Sequence, residues 1–343
     1  MVRDLWAAYE AAAADSSVHC LLLEGAGGKA FCAGGDVKGV WEAGRSGEPV
    51  TKDSVTDAFF REEYALNAAI AGCPKPQVSV WDGIVMGGGV GVSIFGKYRI
   101  ATEKSMFAMP ETNIGLFPDV GGSYFLSRLP GELGTYIGLT GDRLYAADLL
   151  HCGLATHFVP SDSLPELTAS LSACTSVADV DAIFAKRGAS AEASAAAQGS
   201  MLEQRRSQID AAFGFETMEE VMSHLADQPG DDDFSAKTLK TLGRMSPTSM
   251  KIALRLMREA RRDKSAAPLS AALAREFRVV QRCVTPPADF FEGIRAALVD
   301  KDRSPKWQPP TVDGVGAERV EEHFASLGGR ELDMPRLPGF AVA

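Results

Sequence analysis

Two carboxylates stand in apolar surroundings near the middle of the chain. Glu111 lies in the string Met109-Pro-Glu-Thr, and Asp119 lies in Phe117-Pro-Asp-Val-Gly-Gly. Apolar surroundings disfavour the charged form of a carboxylate, so its proton affinity rises and it can act as an acid or a base. The alternative is structural, with Glu111 capping a turn and Asp119 capping a helix that starts at Val120. For Asp119 the local pattern by itself favours capping.

Two glycine-rich loops can supply backbone donors. Gly87-Gly-Gly runs directly into a predicted helix, where free N–H groups and the helix dipole favour developing negative charge. A thioester carbonyl that becomes an oxyanion needs such donors, and losing one costs about 100- to 1000-fold in rate. The loop Lys29-Ala-Phe-Cys-Ala-Gly-Gly could supply a second donor. Each loop is also compatible with an ordinary tight turn, and neither matches a P-loop or the dinucleotide-binding fingerprint.

The elements that must position these groups alternate between strand and helix in the first half of the chain. Apolar runs predict four strands, at residues 18–24, 77–81, 98–102 and 105–109. Helices are predicted at residues 56–72 and from Gly87 to about Phe95. Glu63, on the first of these helices, could reach a polar ligand, although most helix glutamates are merely solvated. The alternation is typical of an α/β layer with right-handed crossovers.

Beyond Val120 the pattern is mainly helical, apart from a short apolar run at residues 154–159. Ser246 followed by Pro247 is a good helix start, because serine caps the N-terminus and proline suits the first turn. Helices are predicted at about 248–261, 269–283 and 286–300. Residues 187–200, rich in Ala, Ser and Gly, predict a surface helix or a linker.

The composition limits the class of partner. The chain has 343 residues, 45% of them hydrophobic, and a formal net charge of -10, which argues against a nucleic-acid binder. The six cysteines are scattered without a CxxC pair, so neither a zinc site nor a disulfide framework is expected. No apolar run is long enough to span a bilayer, and no secretory signal is visible. We expect no metal, no nucleic acid and no membrane as partners.

The ordered motifs resemble the crotonase (enoyl-CoA hydratase/isomerase) superfamily. They are Ala30-Phe-Cys-Ala-Gly-Gly-Asp, Met86-Gly-Gly-Gly-Val-Gly, Pro110-Glu and Gly121-Gly. Longer strings resemble one branch of it, the 3-hydroxyisobutyryl-CoA hydrolases; they include Phe60-Arg-Glu-Glu-Tyr, Phe107-Ala-Met-Pro-Glu-Thr, Ile114-Gly-Leu-Phe-Pro-Asp-Val-Gly-Gly, Leu154-Ala-Thr-His-Phe-Val and Ser304-Pro-Lys-Trp. The resemblance covers nearly the whole chain.

The resemblance implies a role for each motif. Backbone N–H groups of Cys32 and Gly88 would form an oxyanion hole that binds the substrate carbonyl. Glu111 would be the main catalytic carboxylate, with Asp119 as its partner near the acyl group, and Glu63 would line the substrate end. Residues 30–36 would wrap the adenine end of coenzyme A, which enters as part of the substrate, so no separate cofactor is expected.

One position separates the branches of the superfamily. Enoyl-CoA hydratases resemble this pattern but carry a second catalytic glutamate three residues after the oxyanion glycine, where this chain has Gly91. Gly91 therefore favours thioester hydrolysis, giving 3-hydroxyisobutyrate and coenzyme A in valine catabolism, with Glu111 as base or nucleophile. The alternatives are hydratase or isomerase activity, and a non-catalytic role as a mitochondrial ribosome-associated homologue.

The resemblance also implies the architecture. We expect an α/β crotonase (ClpP-like) spiral of β-β-α units with two stacked sheets at residues 1–185, and a C-terminal helical region at 186–343 that covers the active site. The family normally opens with a β-hairpin, whereas this chain opens within a predicted amphipathic helix, so that hairpin is expected to be missing. A homo-oligomer is possible. The resemblance implies a mitochondrial protein if the source is eukaryotic and a cytoplasmic one otherwise.

Overall fold

Short parallel strands form two sheets in the computed structural model, which describes residues 1–187, 198–228, 233–263, 267–334 and 340. The strands are β1 Leu21–Glu24, β2 Ala30–Cys32, β3 Gln77–Trp81, β4 Ile84–Met86, β5 Tyr98–Ala101, β6 Met106–Ala108 and β7 His157–Phe158. One sheet has the order β1-β3-β5-β7 and the other β2-β4-β6, with every neighbouring pair parallel. The predicted crotonase arrangement of two sheets is confirmed.

The chain alternates between the two sheets as it advances. Each odd-numbered strand from β1 to β5 is followed by a short connection and then by an even-numbered strand of the other sheet. Gly83, in the connection between β3 and β4, has φ of 104°, and a Cβ there would lie only 2.5 Å from the carbonyl oxygen of Lys29. Glycine is therefore required where the chain turns from one sheet to the next.

Strand β3 is buried along its whole length, and its two polar side chains, Gln77 and Ser79, are hydrogen-bonded to each other. Trp81 belongs to the main core, whereas Val78 and Val80 face a smaller one. The smaller core is formed by Val78, Val80, Tyr98, Ile100, Val159, Leu167, Leu171, Val180 and Phe184. Its last four members lie on the helices that cover the outer face of the four-stranded sheet.

Helices surround the sheets. Their bounds are α1 Val2–Ala14, α2 Val37–Gly44, α3 Val55–Gly72, α4 Gly88–Gly91, α5 Gly122–Leu126, α6 Leu133–Thr140, α7 Ala146–Cys152, α8 Leu164–Ser172, α9 Val177–Arg187, α10 Met201–Gln204, α11 Arg206–Phe213, α12 Met218–Ala226, α13 Phe234–Leu242, α14 Pro247–Arg262, α15 Leu269–Cys283, α16 Asp289–Ile294 and α17 Ala317–Phe324. Single turns of 3₁₀-helix occur at Glu111–Ile114, Ser161–Ser163, Val312–Gly314 and Gly328–Arg330, and a π-turn at Arg295–Val299.

Most of the predicted elements are confirmed, with one helix much shorter than expected. The helix predicted from Gly87 to about Phe95 is regular only over Gly88–Gly91, although hydrogen-bonded turns continue to Gly96. Three glycines in succession lower helix propensity, which accounts for its brevity. The stretch predicted as a surface helix or linker at 187–200 lies largely outside the described residues, which stop at 187 and resume at 198.

The C-terminal helices pack directly on the helix that carries Glu63. Helix α14 begins as predicted, with the Ser246 hydroxyl accepting a hydrogen bond from the N–H of Ser249 and Pro247 in the first turn. Helix α15 packs along α3, where Gln281 Nε2 donates to the carbonyl of Thr56. The C-terminal region thus reaches the site helix, while the division of the chain at residue 186 stays a prediction.

Candidate active site

The loop between β4 and α4 brings backbone unusually close to side chains from two other elements. Gly87 has φ of 49° and ψ of -123°, a conformation that suits only glycine. A Cβ at Gly88 would overlap the carboxylate of Glu63, and a Cβ at Gly89 would overlap the carbonyl of Cys32. The three successive glycines are therefore needed because α3 and β2 press against this turn.

A small cavity of about 120 Å³ opens beside this turn. Its lining consists of Ala33, Gly34, Gly35, Val37, Phe59, Phe60, Glu63, Met86, Gly87, Gly88, Pro110, Glu111, Ile114, Leu116 and Asp119. Four of the five residues predicted for the site therefore meet in one place, although they come from separate parts of the sequence. The volume suits a short acyl group, since whole drug-sized ligands occupy roughly 300–1000 Å³.

Cys32, the fifth predicted residue, does not line the cavity. It lies at the end of β2, against Gly89, and its thiol points to the carbonyl of Gly34. The backbone N–H of Cys32 is the group predicted to act, as an oxyanion donor. This role stays a prediction. The neighbouring residues Ala33 to Gly35 do line the cavity, so the predicted loop faces the site.

The carboxylates of the cavity are almost completely buried. Glu63, Glu111 and Asp119 keep 6%, 5% and 4% of their surface exposed. Burial, with the charge of Asp119, raises the pKa of Glu63 to about 8. Burial also raises the pKa of Asp119 to about 7, although the hydrogen bond from Tyr64 opposes the rise. The pKa of Glu111 lies well above its ordinary value, because of burial first and the charges of Asp119 and Glu63 second.

These carboxylates have few partners. The hydroxyl of Tyr64 donates to Oδ2 of Asp119 at 2.9 Å. Oε2 of Glu111 is buried and has no hydrogen-bond partner among the described residues. No arginine or lysine in the described ranges forms an ion pair with Glu63, Glu111 or Asp119. Buried acids without counter-ions hold protons near neutral pH, which is the property that acid–base catalysis needs.

The capping interpretation of Asp119 is wrong. Helix α5 begins after Gly121, and no side chain of its N-cap residue bonds to it. Asp119 instead directs its carboxylate to Tyr64, from α3. Glu111 opens a 3₁₀ turn without a capping bond from the preceding residue, and its Oε1 lies 3.3 Å from where a Cβ of Gly87 would stand. Both side chains therefore face the cavity.

Position 91 has no room for a side chain. A Cβ at Gly91 would lie 2.7 Å from Cβ of Val120 and 2.9 Å from Nδ2 of Asn67. Val120 has φ of 52°, a rare backbone conformation for a β-branched residue, and follows Asp119 directly. Asn67 is fully buried, and neither atom of its amide has a partner in the described structure. A glutamate at position 91 would not fit without displacing both neighbours.

Two functional candidates were missed from the sequence. Tyr64 is the donor to Asp119, and Glu276 of α15 is fully buried and accepts hydrogen bonds from the backbone just after Asp119. Burial raises the pKa of Glu276 to about 8. One sequence signal was available, because Glu276 interrupts an apolar helix face that includes Leu273 and Val280.

The described part of the chain shows neither a metal site nor a membrane-spanning helix. It contains no group of three or more His, Cys, Asp or Glu residues arranged to hold a metal ion. Within the same residues, no helix is both long and apolar enough to cross a membrane.

Comparison with known proteins identifies similar chains over almost the full length. A family model described as enoyl-CoA hydratase/isomerase matches residues 1–324. The mitochondrial 3-hydroxyisobutyryl-CoA hydrolase of Xenopus laevis is 43% identical over 339 residues, which cover 97% of this chain and 84% of the relative. The enzyme of the same name from Homo sapiens is 42% identical over 333 residues, covering 97% of this chain and 83% of the relative.

Two solved structures also resemble the fold over almost the full length of the chain. A carnitinyl-CoA dehydratase from Mycobacterium thermoresistibile has a TM-score of 0.84 at 35% identity, covering 97% of this chain and 90% of that one. An enoyl-CoA hydratase from Rhodobacter sphaeroides 2.4.1 has a TM-score of 0.83 at 36% identity, covering 97% and 91%. The two kinds of comparison therefore carry different activities in their names, although all of these proteins are named for CoA compounds.

Proposed function

The chain belongs to the enoyl-CoA hydratase/isomerase family, and from this premise we propose that it hydrolyses 3-hydroxyisobutyryl-CoA to 3-hydroxyisobutyrate and coenzyme A. The observation that carries the proposal is the contrast between two positions. Glu111 is buried at the cavity and its Oε2 has no partner among the described residues, whereas Gly91 leaves no room for the second glutamate of a hydratase. Relatives named as hydrolases of this substrate support the same choice.

The oxyanion hole would provide most of the electrostatic stabilisation of the transition state. The thioester carbonyl would lie against the turn at Gly88, where the first N–H groups of α4 lack partners within the helix. The N–H of Cys32 would be the second donor. Attack on the carbonyl carbon turns its oxygen into an oxyanion, and these two donors would stabilise the negative charge as it develops.

Glu111 would activate the attacking group in one of two ways. As a base, it takes a proton from water while the water oxygen bonds to the carbonyl carbon. As a nucleophile, it forms an acyl-enzyme anhydride that water then hydrolyses. In either route the carbon–sulfur bond breaks and the thiolate of coenzyme A takes up a proton. Asp119, whose pKa burial raises to about 7, is placed to hold that proton at neutral pH.

The substrate end of the cavity would be polar because of Glu63. Its carboxylate lies against Gly88, close enough to overlap a Cβ there, so it borders the position proposed for the carbonyl. A carboxyl group held partly protonated near pH 8 can both donate to and accept from a hydroxyl. We propose that Glu63 binds the hydroxyl of the 3-hydroxyacyl group. The proposal includes no metal or cofactor, with coenzyme A entering only as part of the substrate.

The test is a short acyl-CoA panel with two readouts. Free thiol is measured on 3-hydroxyisobutyryl-CoA, 3-hydroxypropionyl-CoA and acetyl-CoA, and loss of enoyl absorbance is measured on crotonyl-CoA. We expect thiol release to be fastest on the branched 3-hydroxyacyl substrate and to be lost in Glu111→Ala. Absence of thiol release, or undiminished release by Glu111→Ala, would contradict the proposal.

A hydratase is the second candidate, since a structure similar at TM-score 0.83 carries that name. Hydration of a double bond draws on two carboxylates acting together, and position 91 cannot supply the second. Loss of enoyl absorbance on crotonyl-CoA without thiol release would favour this candidate instead. We further propose a mitochondrial location if the source is eukaryotic, because the compared relatives are mitochondrial proteins. Assembly into a homo-oligomer stays a proposal.

A further inference from the structure

The backbone that follows Asp119 adopts an unfavourable conformation. Val120 and Gly121 have φ of 52° and 82°, so two successive residues occupy the left-handed region. For Val120, which is β-branched, that conformation is unfavourable and persists only where the surroundings hold it. The chain then turns at once into α5, with the N–H of Gly122 donating to the carbonyl of Asp119 at 2.7 Å. Something outside this loop must therefore keep it in place.

Glu276 supplies that restraint from α15. Its Oε2 accepts from the N–H of Gly121 at 2.7 Å, and its Oε1 accepts from both the N–H of Ser123 at 2.9 Å and the Ser123 hydroxyl. All three donors belong to the turn that carries Asp119. Glu276 is fully buried and forms no ion pair in the described ranges. Burying such a carboxylate costs free energy, and all of its hydrogen bonds are directed to one loop.

Tyr64 restrains the side chain of the same residue. Its hydroxyl donates to Oδ2 of Asp119 at 2.9 Å, and the tyrosine itself is fully buried. The ring packs edge-on against Phe277, the residue after Glu276, with centroids 6.3 Å apart. Helices α3 and α15, which pack on each other, thus hold Asp119 from two sides.

We propose that Glu276 and Tyr64 are positioning residues for Asp119, Glu276 fixing the backbone that carries it and Tyr64 fixing its carboxylate. Neither lines the cavity, so neither would touch the acyl group. The inference rests on the proposed hydrolysis for its kinetic readout, but its structural part can be tested without turnover. The titratable groups that surround Asp119 are Glu63 and Tyr64 of α3, Glu111, and Glu276 and Cys283 of α15.

The first test replaces the tyrosine by phenylalanine, which keeps the ring and removes the donor. The hydrogen bond from Tyr64 favours the charged form of Asp119, so we expect Tyr64→Phe to raise the pKa of Asp119 by about one unit or more. The limb of the kcat/KM profile that reports Asp119 moves up in pH by the same amount, while KM changes less than twofold.

The second test is Glu276→Gln, which keeps the shape but places an amide NH₂ against one of the backbone donors. Displacing a catalytic group by about 1 Å can cost about 100-fold, so we expect kcat to fall about 10- to 100-fold with KM nearly unchanged. Ser123→Ala removes only the hydroxyl donor to Glu276 and should have a smaller effect in the same direction. It keeps the proposal testable if Glu276→Gln does not fold.

Asp148 offers a matched control elsewhere in the molecule. It is buried like Glu276, and its Oδ1 accepts from the Ser200 hydroxyl at 2.9 Å and from the N–H of Leu202 at 3.0 Å. Asp148→Asn should lower the melting temperature while leaving kcat and the pH profile unchanged. A purely structural role of Glu276 predicts the same behaviour for Glu276→Gln.

The closing experiment measures the protonation of Asp119 directly, by ¹³C NMR titration of the aspartate carboxyl carbons. The Asp119 signal is assigned by its loss in Asp119→Asn, and wild type is compared with Tyr64→Phe and Asp148→Asn. We expect the midpoint of Asp119 to rise only in Tyr64→Phe. An unchanged midpoint would overturn the inference, even if the wild type hydrolyses thioesters. A raised midpoint in a protein without thiol release would keep the positioning role and reject the proposed function.

Discussion

Two groups of poorly exposed carboxylates in this protein have opposite surroundings. The first group, here called the site carboxylates, forms no ion pair with arginine or lysine in the described ranges. It consists of Glu63, Glu111 and Asp119, which line the cavity, and Glu276, which holds the turn after Asp119. Glu132, by contrast, is held by Arg258 at 2.9 Å and by Arg261. Arg258 also donates to the carbonyls of Phe213 and Phe215, so this arginine cluster, Glu132 with Arg258 and Arg261, ties α6 and α14 to the end of α11.

The difference separates carboxylates that hold protons near neutral pH from a carboxylate whose ion pairs link helices. Burial raises the pKa of every site carboxylate, because nothing positive compensates for the loss of water. The arginines beside Glu132 supply a counter-charge, and removing either side of the pair would leave a buried charge without one. Burial by itself therefore does not mark a functional carboxylate. Glu63, Glu111 and Asp119 are set apart because they are buried without a cation around one shared cavity.

The largest expected effect tests the functional side of the comparison. Glu111→Gln should lower kcat/KM about 100- to 10,000-fold, the range for losing a general acid–base group, while thermal stability stays the same or rises. Stability is not lost because Glu111 holds a proton near neutral pH, so the amide replaces a neutral carboxyl group whose Oε2 has no hydrogen-bond partner among the described residues. Thiol release and thermal melts on the same preparation check both halves. If Glu111→Gln instead melts far below wild type, Glu111 belongs with the structural carboxylates.

The reciprocal substitution tests the arginine cluster. Glu132→Gln leaves Arg258 buried with a weakened counter-charge, and removing one partner of such a pair costs about 3 kcal/mol. Denaturant unfolding should show that loss, while the kcat of the remaining folded protein equals that of wild type. A fall in kcat with unchanged stability would show that the two groups of carboxylates are not functionally distinct.

The site should not accommodate a further carboxylate at position 91. Gly91→Glu forces a side chain against Val120 and Asn67, and overpacking of this kind costs about 1–3 kcal/mol. We expect slower thiol release and no hydration of crotonyl-CoA. Gly329→Glu is the control, because nothing lies within 4 Å of a Cβ at that position. Hydration of crotonyl-CoA by Gly91→Glu would mean that the residue at position 91 alone decides between hydrolase and hydratase activity.

Per pH unit, the smallest expected effect is the change of stability with pH. The pKa of Glu63 rises from 4.5 to about 8 on folding, so between these values the native state binds the extra proton. The free energy of unfolding therefore falls as pH rises through this window, by up to about 1.4 kcal/mol per pH unit for one such group. Melting temperatures at pH 5 to 8.5 should fall less steeply in Glu63→Gln than in wild type.

The stability loss of Glu132→Gln, by contrast, should be present at both ends of that pH range. Parallel curves for Glu63→Gln and wild type would mean that Glu63 keeps its ordinary pKa in the folded protein. The proposed difference in pKa between unpaired and paired carboxylates would then be contradicted.

Much of the site could be predicted from the sequence because its chemistry depends on local strings. Glu111 and Asp119 follow prolines within apolar runs, and Gly88 lies in a glycine triplet that leads out of a strand. Local patterns of this kind limit the backbone directly. The strands at residues 77–81 and 98–101 were predictable for a similar reason, since both are short runs that contain β-branched and aromatic residues.

The sequence misled where a local rule competed with distant contacts. Asp119 resembled a helix cap, yet Tyr64, 55 positions earlier, takes its carboxylate, while Glu276, 155 positions after Gly121, takes the backbone donors of the turn. The helix expected from Gly87 to about Phe95 is regular only to Gly91, because of its glycines. No local pattern contains the partner of a group that lies on another helix.

The sequence by itself determined which groups can do chemistry: a glycine turn, two carboxylates and the missing side chain at position 91. Only the tertiary structure decided that Glu63, Glu111 and Asp119 share one cavity without a cation, and that Val120 and Asn67 fill the space beside Gly91. The physical reason is that the type of a residue is local, whereas its burial, its charge partners and therefore its pKa depend on which distant elements pack around it.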